Sequence, residues 1–242
     1  MGLIAGFLMP ILYGIPLVLM SPFDWVRAPY RLMHAVSQYH GTLVWLPNFA
    51  YNFCAQKIRP RHMEGVDLSS WRAVINCSEP MRHESQQLFV ETFKPWGFRA
   101  SAIATSYAMA ENTFAVTQGG IDDPVVIDPV DRESLQVDRV AKPAFDDRPQ
   151  IVMVSAGKPI PGTEVKAIDP DGNTLDDRLI GEIALRSDYM LTEYYHRPDT
   201  TEKAFLGGWY LTGDFGYMLN GEIYITGRKK DLIIVGGKNI YP

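Results

Sequence analysis

The sequence predicts an α/β fold: a mostly parallel sheet with flanking helices, followed by a small β-rich subdomain. In the first half, short apolar runs such as TLVWLP and WRAVIN alternate with segments of helical periodicity. Strands that alternate with helices in this way form parallel sheets covered by helices. In the second half, short strand-like runs follow one another and are separated by turn pairs such as Asn220-Gly221, which is typical of β-hairpins.

The helices and strands of the first half have recognisable ends. A helix over residues 28–40 ends at Gly41, and the helix NFAYNFCAQKI after TLVWLP is expected to be capped by Asn48. The next helix follows WRAVIN, with Pro80 in its first turn and Gly97 just past its end. A further strand within FRASAIATSYAMAE completes the α/β part.

Composition divides the chain into four segments. We expect the α/β part over residues 1–118 and a surface connection rich in Asp and Pro over residues 119–150. The β-rich subdomain follows over residues 151–227, and residues 228–242 remain after it. At 242 residues the chain is long enough to bury a sizeable core.

Charge and cysteine content restrict the class of protein. A net charge of −5 argues against a nucleic-acid binder, which usually carries a basic face. Cys54 and Cys77 lack the spacing of metal ligands, and the five histidines form no cluster in the sequence. We interpret the cysteines as reduced, buried thiols of a cytoplasmic protein.

The first twenty residues, MGLIAGFLMPILYGIPLVLM, carry no charge. A membrane-spanning helix needs about 20 apolar residues, so the length alone permits one. However, Pro10 and Pro16 interrupt the helical hydrogen bonds, and the first basic residue is Arg27. We therefore expect neither a transmembrane segment nor a signal peptide, and interpret the stretch as one buried inside protein.

Several polar residues stand out, and each also has a purely structural interpretation. Asp214 would suit a turn, Arg228 a solvated surface, and Glu111 the start of a helix, where a carboxylate favours the dipole. Their significance comes from the motifs that contain them: WRAVINCSEP at 71–80, TSYAMAE at 105–111, and the tail from Tyr210 to Pro242.

In this order and at these separations, the motifs resemble the adenylate-forming superfamily of acyl-CoA synthetases, acyl-AMP ligases and luciferases. The segments LPNFAYNFC, VDLSSWRAVINCSEPM, SYAMAE and GKPIPGTEVKAIDPDG look most like the fatty acyl-AMP ligases. This resemblance implies a ligase that forms acyl-AMP from ATP and a fatty acid, then transfers the acyl group to the phosphopantetheine of an acyl carrier protein. An acyl-CoA synthetase, with CoA as acceptor, and a non-catalytic nucleotide- or acyl-binding remnant are the alternatives.

The resemblance also implies roles for individual residues. Asp214 would accept hydrogen bonds from both ribose hydroxyls, and Arg228, a rigid cationic fork, would reach the same sugar. Glu111 would bind Mg²⁺ at the phosphates, because a hard oxygen ligand suits that ion. Residues 228–242 would form the hinge towards a C-terminal domain, with Lys230 at the hinge position. The remaining positions would surround the adenine, the first three by their backbone and Tyr107 by stacking: Ser78, Glu79, Pro80, Ser106, Tyr107 and Ala108.

The sequence also departs from the superfamily. It has no Gly/Ser/Thr-rich loop ending in Pro-Lys, which holds the ATP phosphates in relatives. The His-Asp pair that precedes a segment like MGLI in relatives is absent, as is the C-terminal domain with its catalytic lysine. We therefore expect an interior fragment of the large domain with little or no adenylation activity by itself. We also expect the apolar first segment to be partly uncovered and to promote association.

Overall fold

The structure, a computed structural model, describes residues 2–145, 148–231, 233–235 and 238–240, with backbone only from residue 231 onward. The predicted hinge region at 228–242 therefore lies partly outside the described residues. The chain divides into two compact units. The first consists of Met1–Ala108 with Gly119–Val125, and the second of Met109–Gln118 with Val126–Pro242.

The first unit is built around a three-stranded parallel sheet. Its strands, in sheet order, are β1 (Leu43–Leu46), β2 (Ala73–Asn76) and β3 (Ile103–Thr105). Leu43 pairs with Ala73, and Val74 pairs with Ile103. Successive residues of a strand point to opposite faces, so Val74 joins one apolar cluster while its neighbours Ala73 and Ile75 join another. Both faces are therefore apolar, which explains why these strands read as continuous hydrophobic runs.

Five α-helices belong to the first unit. They are α1 (Met9–Tyr13), α2 (Pro22–Arg27), α3 (Tyr30–Tyr39), α4 (Asn48–Lys57) and α5 (His83–Phe93). Two details of the predicted helices are wrong. Helix α5 begins after Pro80 rather than around it, because Arg82 is still extended at φ −118° and ψ 127°. The side chain of Asn48 does not cap α4, because its amide bonds to Asn76 and Ser85 instead.

The apolar first segment forms a π-helical turn at Ile4–Leu8 that runs into α1. Pro10 lies just after this turn and, because it has no N–H, cannot donate to the carbonyls of the preceding turn. Within this chain the segment is uncovered rather than buried: Leu12 is 79% exposed and Leu19 is 69% exposed. Among the residues that the structure describes, no helix is both long and apolar enough to cross a membrane.

The second unit is dominated by antiparallel strands. They are β4 (Thr117–Gln118), β5 (Ile127–Asp131), β6 (Gln150–Val154), β7 (Lys158–Pro159), β8 (Thr163–Ile168), β9 (Gly181–Ser187), β10 (Phe205–Leu206), β11 (Trp209–Leu219), β12 (Glu222–Arg228), β13 (Ile233–Val235) and β14 (Lys238–Ile240). One helix, α6 (Pro198–Lys203), precedes β10. The main sheet has the order β10-β11-β9-β8, with β12 also paired to β11.

The β11–β12 hairpin turns at the predicted pair. Leu219 pairs with Glu222, and the two residues between them have positive φ, 52° at Asn220 and 78° at Gly221. This geometry is that of the two-residue turn that best fits twisted strands. The predicted fold class, a parallel sheet with helices followed by a β-rich part, is confirmed.

The segment predicted as a surface connection, 119–150, has more structure than its composition indicates. It contains β5, which pairs along its length with β6. Its aspartates are used internally: Asp131 Oδ1 accepts a bond from the backbone N–H of Ser134, and Asp128 is buried beside Arg178. Residues 109–118, expected with the α/β part, belong to the second compact unit.

Candidate functional site

In the first unit, the carboxyl edge of the parallel sheet brings two predicted segments together. Strands β2 and β3 are parallel neighbours, so the residues that follow them leave the sheet on the same side. The backbone N–H of Ser106 donates to the carbonyl of Asn76 at 3.1 Å. Segments 78–80 and 106–108 are therefore adjacent, and ligands of α/β sheets bind at such carboxyl ends.

The 78–80 segment is exposed to solvent. All three residues are exposed, and Ser78 has a positive φ of 73°, a rare conformation for a residue with a Cβ. The carboxylate of Glu79 is used internally, since its Oε2 accepts a hydrogen bond from the N–H of Phe49 at 2.9 Å, in the first turn of α4. A carboxylate is favourable at a helix N-terminus. This leaves the backbone, rather than the Glu79 side chain, to contact a ligand.

A buried amide network lies behind this segment, and the sequence analysis missed it. Asn48 Oδ1 accepts hydrogen bonds from Asn76 Nδ2 at 3.1 Å and from the backbone N–H of Arg82 at 3.0 Å. Asn48 Nδ2 donates to Ser85 Oγ at 3.3 Å, and Asn52 donates to the same oxygen at 2.9 Å. The network therefore fixes the segment at both ends, through Asn76 before it and Arg82 after it.

In the second unit, Asp214 and Arg228 face each other across the β11–β12 pair. Their Cα atoms are register partners, and Arg228 Nε lies 3.4 Å from Asp214 Oδ1. Asp214 lies within an irregularity, between Leu211 and Phe215, in which β11 has extra residues relative to β9. Gly213 has φ 71° there, which a glycine adopts without strain. Bulges of this kind redirect side chains, and they commonly lie next to active sites.

The segment that contains Lys230 is attached to the same strands. Lys230 lies exposed in a short 3₁₀ turn after β12. Its neighbour Lys229 donates to Glu182 Oε2 at 2.9 Å, and Glu182 Oε1 accepts the N–H of Gly213 at 3.1 Å. One carboxylate therefore connects the turn before Asp214 to the predicted hinge, and the sequence analysis did not identify it.

Glu111 lies half-buried at a 3₁₀ turn of the second unit, in contact with two tyrosines. Tyr194 Oη donates to Glu111 Oε1 at 3.0 Å, and the hydroxyls of Tyr194 and Tyr210 are 3.0 Å apart. Burial is the main cause that raises the pKa of both phenols above the usual value. Both therefore keep their protons at neutral pH. Neither tyrosine was predicted, because each is more than 80 residues from Glu111 in sequence.

The donor set at Glu111 is compatible with Mg²⁺ but not with a site made by protein ligands alone. In the part of the chain that the structure describes, no three His, Cys, Asp or Glu side chains are grouped to hold a metal ion. Mg²⁺ typically takes one or two carboxylates, with phosphate oxygens and water completing its octahedron. A single oriented carboxylate such as Glu111 fits that pattern.

These observations agree with comparisons to known proteins. A family model described as AMP-binding enzyme matches residues 1–195. The chain therefore belongs to the AMP-binding enzyme family, as the resemblance of its motifs predicted.

Two curated relatives are similar over the whole chain. One is a medium-chain-fatty-acid–[acyl-carrier-protein] ligase of Moorena producens, 34% identical over 100% of this chain and 43% of the relative. The other is a long-chain-fatty-acid–AMP ligase of Mycolicibacterium smegmatis, 33% identical over 100% of this chain and 42% of the relative.

A solved structure is also similar. It is the fatty acyl-adenylate ligase of Legionella pneumophila in complex with acyl adenylate and pyrophosphate, 37% identical, with a TM-score of 0.90 over 96% of this chain and 42% of that chain. The chain thus spans less than half the length of each of these proteins.

The residues predicted from recognisable motifs fall into two groups, one in each compact unit. The first unit holds Ser78, Glu79, Pro80, Ser106, Tyr107 and Ala108, and the second holds Glu111, Asp214, Arg228 and Lys230. The residues that support them were missed: Asn48, Asn76, Glu182, Tyr194 and Tyr210. The ligand-binding roles of the motif residues stay predictions.

Proposed function

We propose that this chain is part of a ligase that activates a fatty acid by forming acyl-AMP from ATP, and that it contributes the adenine and ribose site. The observation that carries the proposal is the Asp214–Arg228 pair beside the β11 irregularity, in a chain that belongs to the AMP-binding family. A buried carboxylate accepts two ribose hydroxyls at once, and an adjacent guanidinium limits its motion.

The candidate groups of the first unit would suit an adenine, and those of the second unit would suit ribose and phosphate. The exposed 78–80 segment would contact the adenine edge through its backbone, and Tyr107 would stack on the adenine. Glu111 would hold Mg²⁺, which when bound neutralises phosphate charge as pyrophosphate leaves. The chain's own residues bind and orient the nucleotide, so that the acyl carboxylate and the α-phosphate are held in reacting geometry.

For the acceptor of the acyl group, we propose the phosphopantetheine of an acyl carrier protein, with CoA as the alternative. The acyl-carrier-protein ligase among the relatives supports the first choice. On the intact protein, rates of thioester formation with a carrier protein and with CoA distinguish the two. We also propose a cytoplasmic location, in keeping with the buried free thiols of Cys54 and Cys77.

Calorimetry with a non-hydrolysable acyl-AMP analogue tests the nucleotide site. We expect Asp214→Asn to weaken binding about tenfold or more, because a hydrogen bond to a charged group contributes about 1.5–3 kcal/mol and each 1.4 kcal/mol is tenfold. Asp176→Asn is the matched control, since Asp176 is exposed and lies away from the pair in sequence. Equal affinities for the two variants would contradict the ribose role. If the unaltered chain binds no analogue, the proposed nucleotide site is wrong, and so is the alternative of a non-catalytic remnant that binds nucleotide.

A further inference from the structure

We infer that Tyr194 and Tyr210 are positioning residues that fix the carboxylate of Glu111 for the magnesium-bound nucleotide. The inference rests on the proposed function, in which Glu111 holds Mg²⁺. No role was predicted for either tyrosine, although Tyr210 is the first residue of the tail motif. Together with Glu111 they form a three-member hydrogen-bonded chain within the second unit.

The direction of donation in this chain follows from the number of protons. An ionised carboxylate only accepts, so the single hydroxyl proton of Tyr194 is donated to Glu111 Oε1, at 3.0 Å. The lone pairs of Tyr194 then accept the proton of Tyr210, whose hydroxyl is 3.0 Å away. Each donation makes the next hydroxyl a stronger donor, because hydrogen bonds in a chain polarise one another.

Each member of the chain is held by regular or hydrogen-bonded structure. Tyr210 is buried on β11, where it pairs with Leu185 of β9. The backbone N–H of Tyr194 donates to Thr201 Oγ1, on α6, at 2.9 Å. The turn that carries Glu111 is bonded to the same loop, since the N–H of Leu191 donates to the carbonyl of Glu111 at 2.7 Å.

This arrangement selects one orientation of the carboxylate. A glutamate side chain has several rotamers, and a hydrogen bond from a fixed phenol to one oxygen reduces them. The second oxygen keeps its acceptor capacity for a cation. Such supports of a metal ligand typically change metal affinity by about 10–100-fold when they are removed. A purely structural contact would instead change the stability of the fold.

The test measures the Mn²⁺ that the protein retains, with Mn²⁺ as the probe for Mg²⁺. The protein is dialysed to equilibrium against Mn²⁺ and ATP, and the excess of Mn²⁺ on the protein side is counted by electron paramagnetic resonance after acid release, because ATP by itself also binds the ion. We expect Tyr194→Phe to weaken Mn²⁺ retention about tenfold, with the midpoint of thermal unfolding nearly unchanged. Tyr210→Phe should weaken it as well, because the Tyr210 hydroxyl bonds to Tyr194 and also interacts with Glu111. Tyr195→Phe is the matched control, since Tyr195 is the next residue and is 83% exposed.

Glu111→Gln separates failure of the inference from failure of the proposed function. If Glu111→Gln retains Mn²⁺ as well as the unaltered protein, or if the unaltered protein retains none with ATP, the proposed metal role of Glu111 is wrong. If Glu111→Gln loses Mn²⁺ while Tyr194→Phe equals Tyr195→Phe, the positioning role is wrong. A fall in thermal stability with unchanged Mn²⁺ affinity for Tyr194→Phe would assign that tyrosine to the fold alone.

Discussion

The two units support their candidate residues by different kinds of interaction. Among the described residues, the buried polar side chains of the first unit are amides and hydroxyls, such as Asn48 and Asn76. The second unit buries three carboxylates, at Asp128, Asp131 and Asp214. The first unit therefore orients a backbone segment with neutral bonds, whereas the second orients charged side chains with other charges and with phenols.

This difference has an energetic consequence. A substitution in a neutral network lowers the free energy of unfolding by the value of the hydrogen bonds that it removes. A substitution that removes the partner of a buried charge lowers it further, because the remaining charge stays desolvated without compensation. The second unit should therefore be the more sensitive to single substitutions of polar residues, although both units have apolar cores.

The largest effect should follow from removing the charge of Asp128. This residue accepts two bonds from Arg178, both at 3.1 Å, and one from Tyr217 at 2.7 Å. We expect Asp128→Asn to lower the free energy of unfolding by about 3 kcal/mol, the low end for a broken buried pair. The low end applies because the Arg178 side chain is 26% exposed. Urea denaturation measures the change.

Asp138→Asn is the matched control for this prediction. Asp138 pairs with Lys142 at 2.9 Å, but both side chains are about half exposed. Exposed pairs contribute about 0–1 kcal/mol. If Asp128→Asn and Asp138→Asn unfold at the same urea concentration, the buried charge of Asp128 does not make the second unit more sensitive to substitution than the first.

An intermediate effect is expected from Asn48→Ala in the first unit. The substitution leaves Asn76 Nδ2 and the N–H of Arg82 without their common acceptor. We expect a loss of about 2 kcal/mol, since an unsatisfied buried group costs about 1–3 kcal/mol. Because no charged side chain takes part, the loss should not depend on ionic strength. Asn52→Ala, which removes one bond to Ser85, should cost less; an equal or larger cost would place the centre of the network elsewhere.

The smallest effect concerns the thiols, which report on the first unit alone. Cys54 and Cys77 are both free and buried, and burial raises the pKa of Cys54 from 9.0 to about 12. We expect almost no reaction with a disulfide reagent at pH 8 in the folded protein, because the thiolate is the reactive form. Asp128→Asn should leave this rate unchanged and Asn48→Ala should raise it. If Asp128→Asn raises the rate of thiol reaction and Asn48→Ala leaves it unchanged, the thiols report on the second unit instead.

The same pKa predicts how stability depends on pH. Between pH of about 9 and 12, the unfolded chain releases the Cys54 proton while the folded chain keeps it. The protonated Cys54 thiol therefore makes its full contribution to stability below a pH of about 9. Above that pH, the free energy of unfolding should fall as the pH rises. Urea denaturation across this range checks the sign, and a rise in stability would contradict the assignment of a protonated buried thiol.

Much of the fold was predictable because its signals are local. The runs around Val74 and Ile103 are strands because apolar residues are contiguous there, and Asn220-Gly221 is a turn because both residues tolerate positive φ. Predictions that failed depended on distant partners. Asn48 was predicted to cap a helix, but its side-chain amide bonds to Asn76 instead. Strand β5 was predicted to be part of a connection, because its composition does not indicate its pairing with β6.

The sequence by itself determined the family and the identity of the motif residues, since these depend on residue type, order and spacing. It also predicted charged ligand-binding residues at Glu111, Asp214 and Arg228, which stay predictions. Only the tertiary structure decided how those charges are held. Glu111 meets Tyr194, and Glu182 meets Lys229, across separations of more than 40 residues. The physical reason is that a hydrogen bond requires its two groups to lie about 3 Å apart, and only the folded chain brings such distant residues that close.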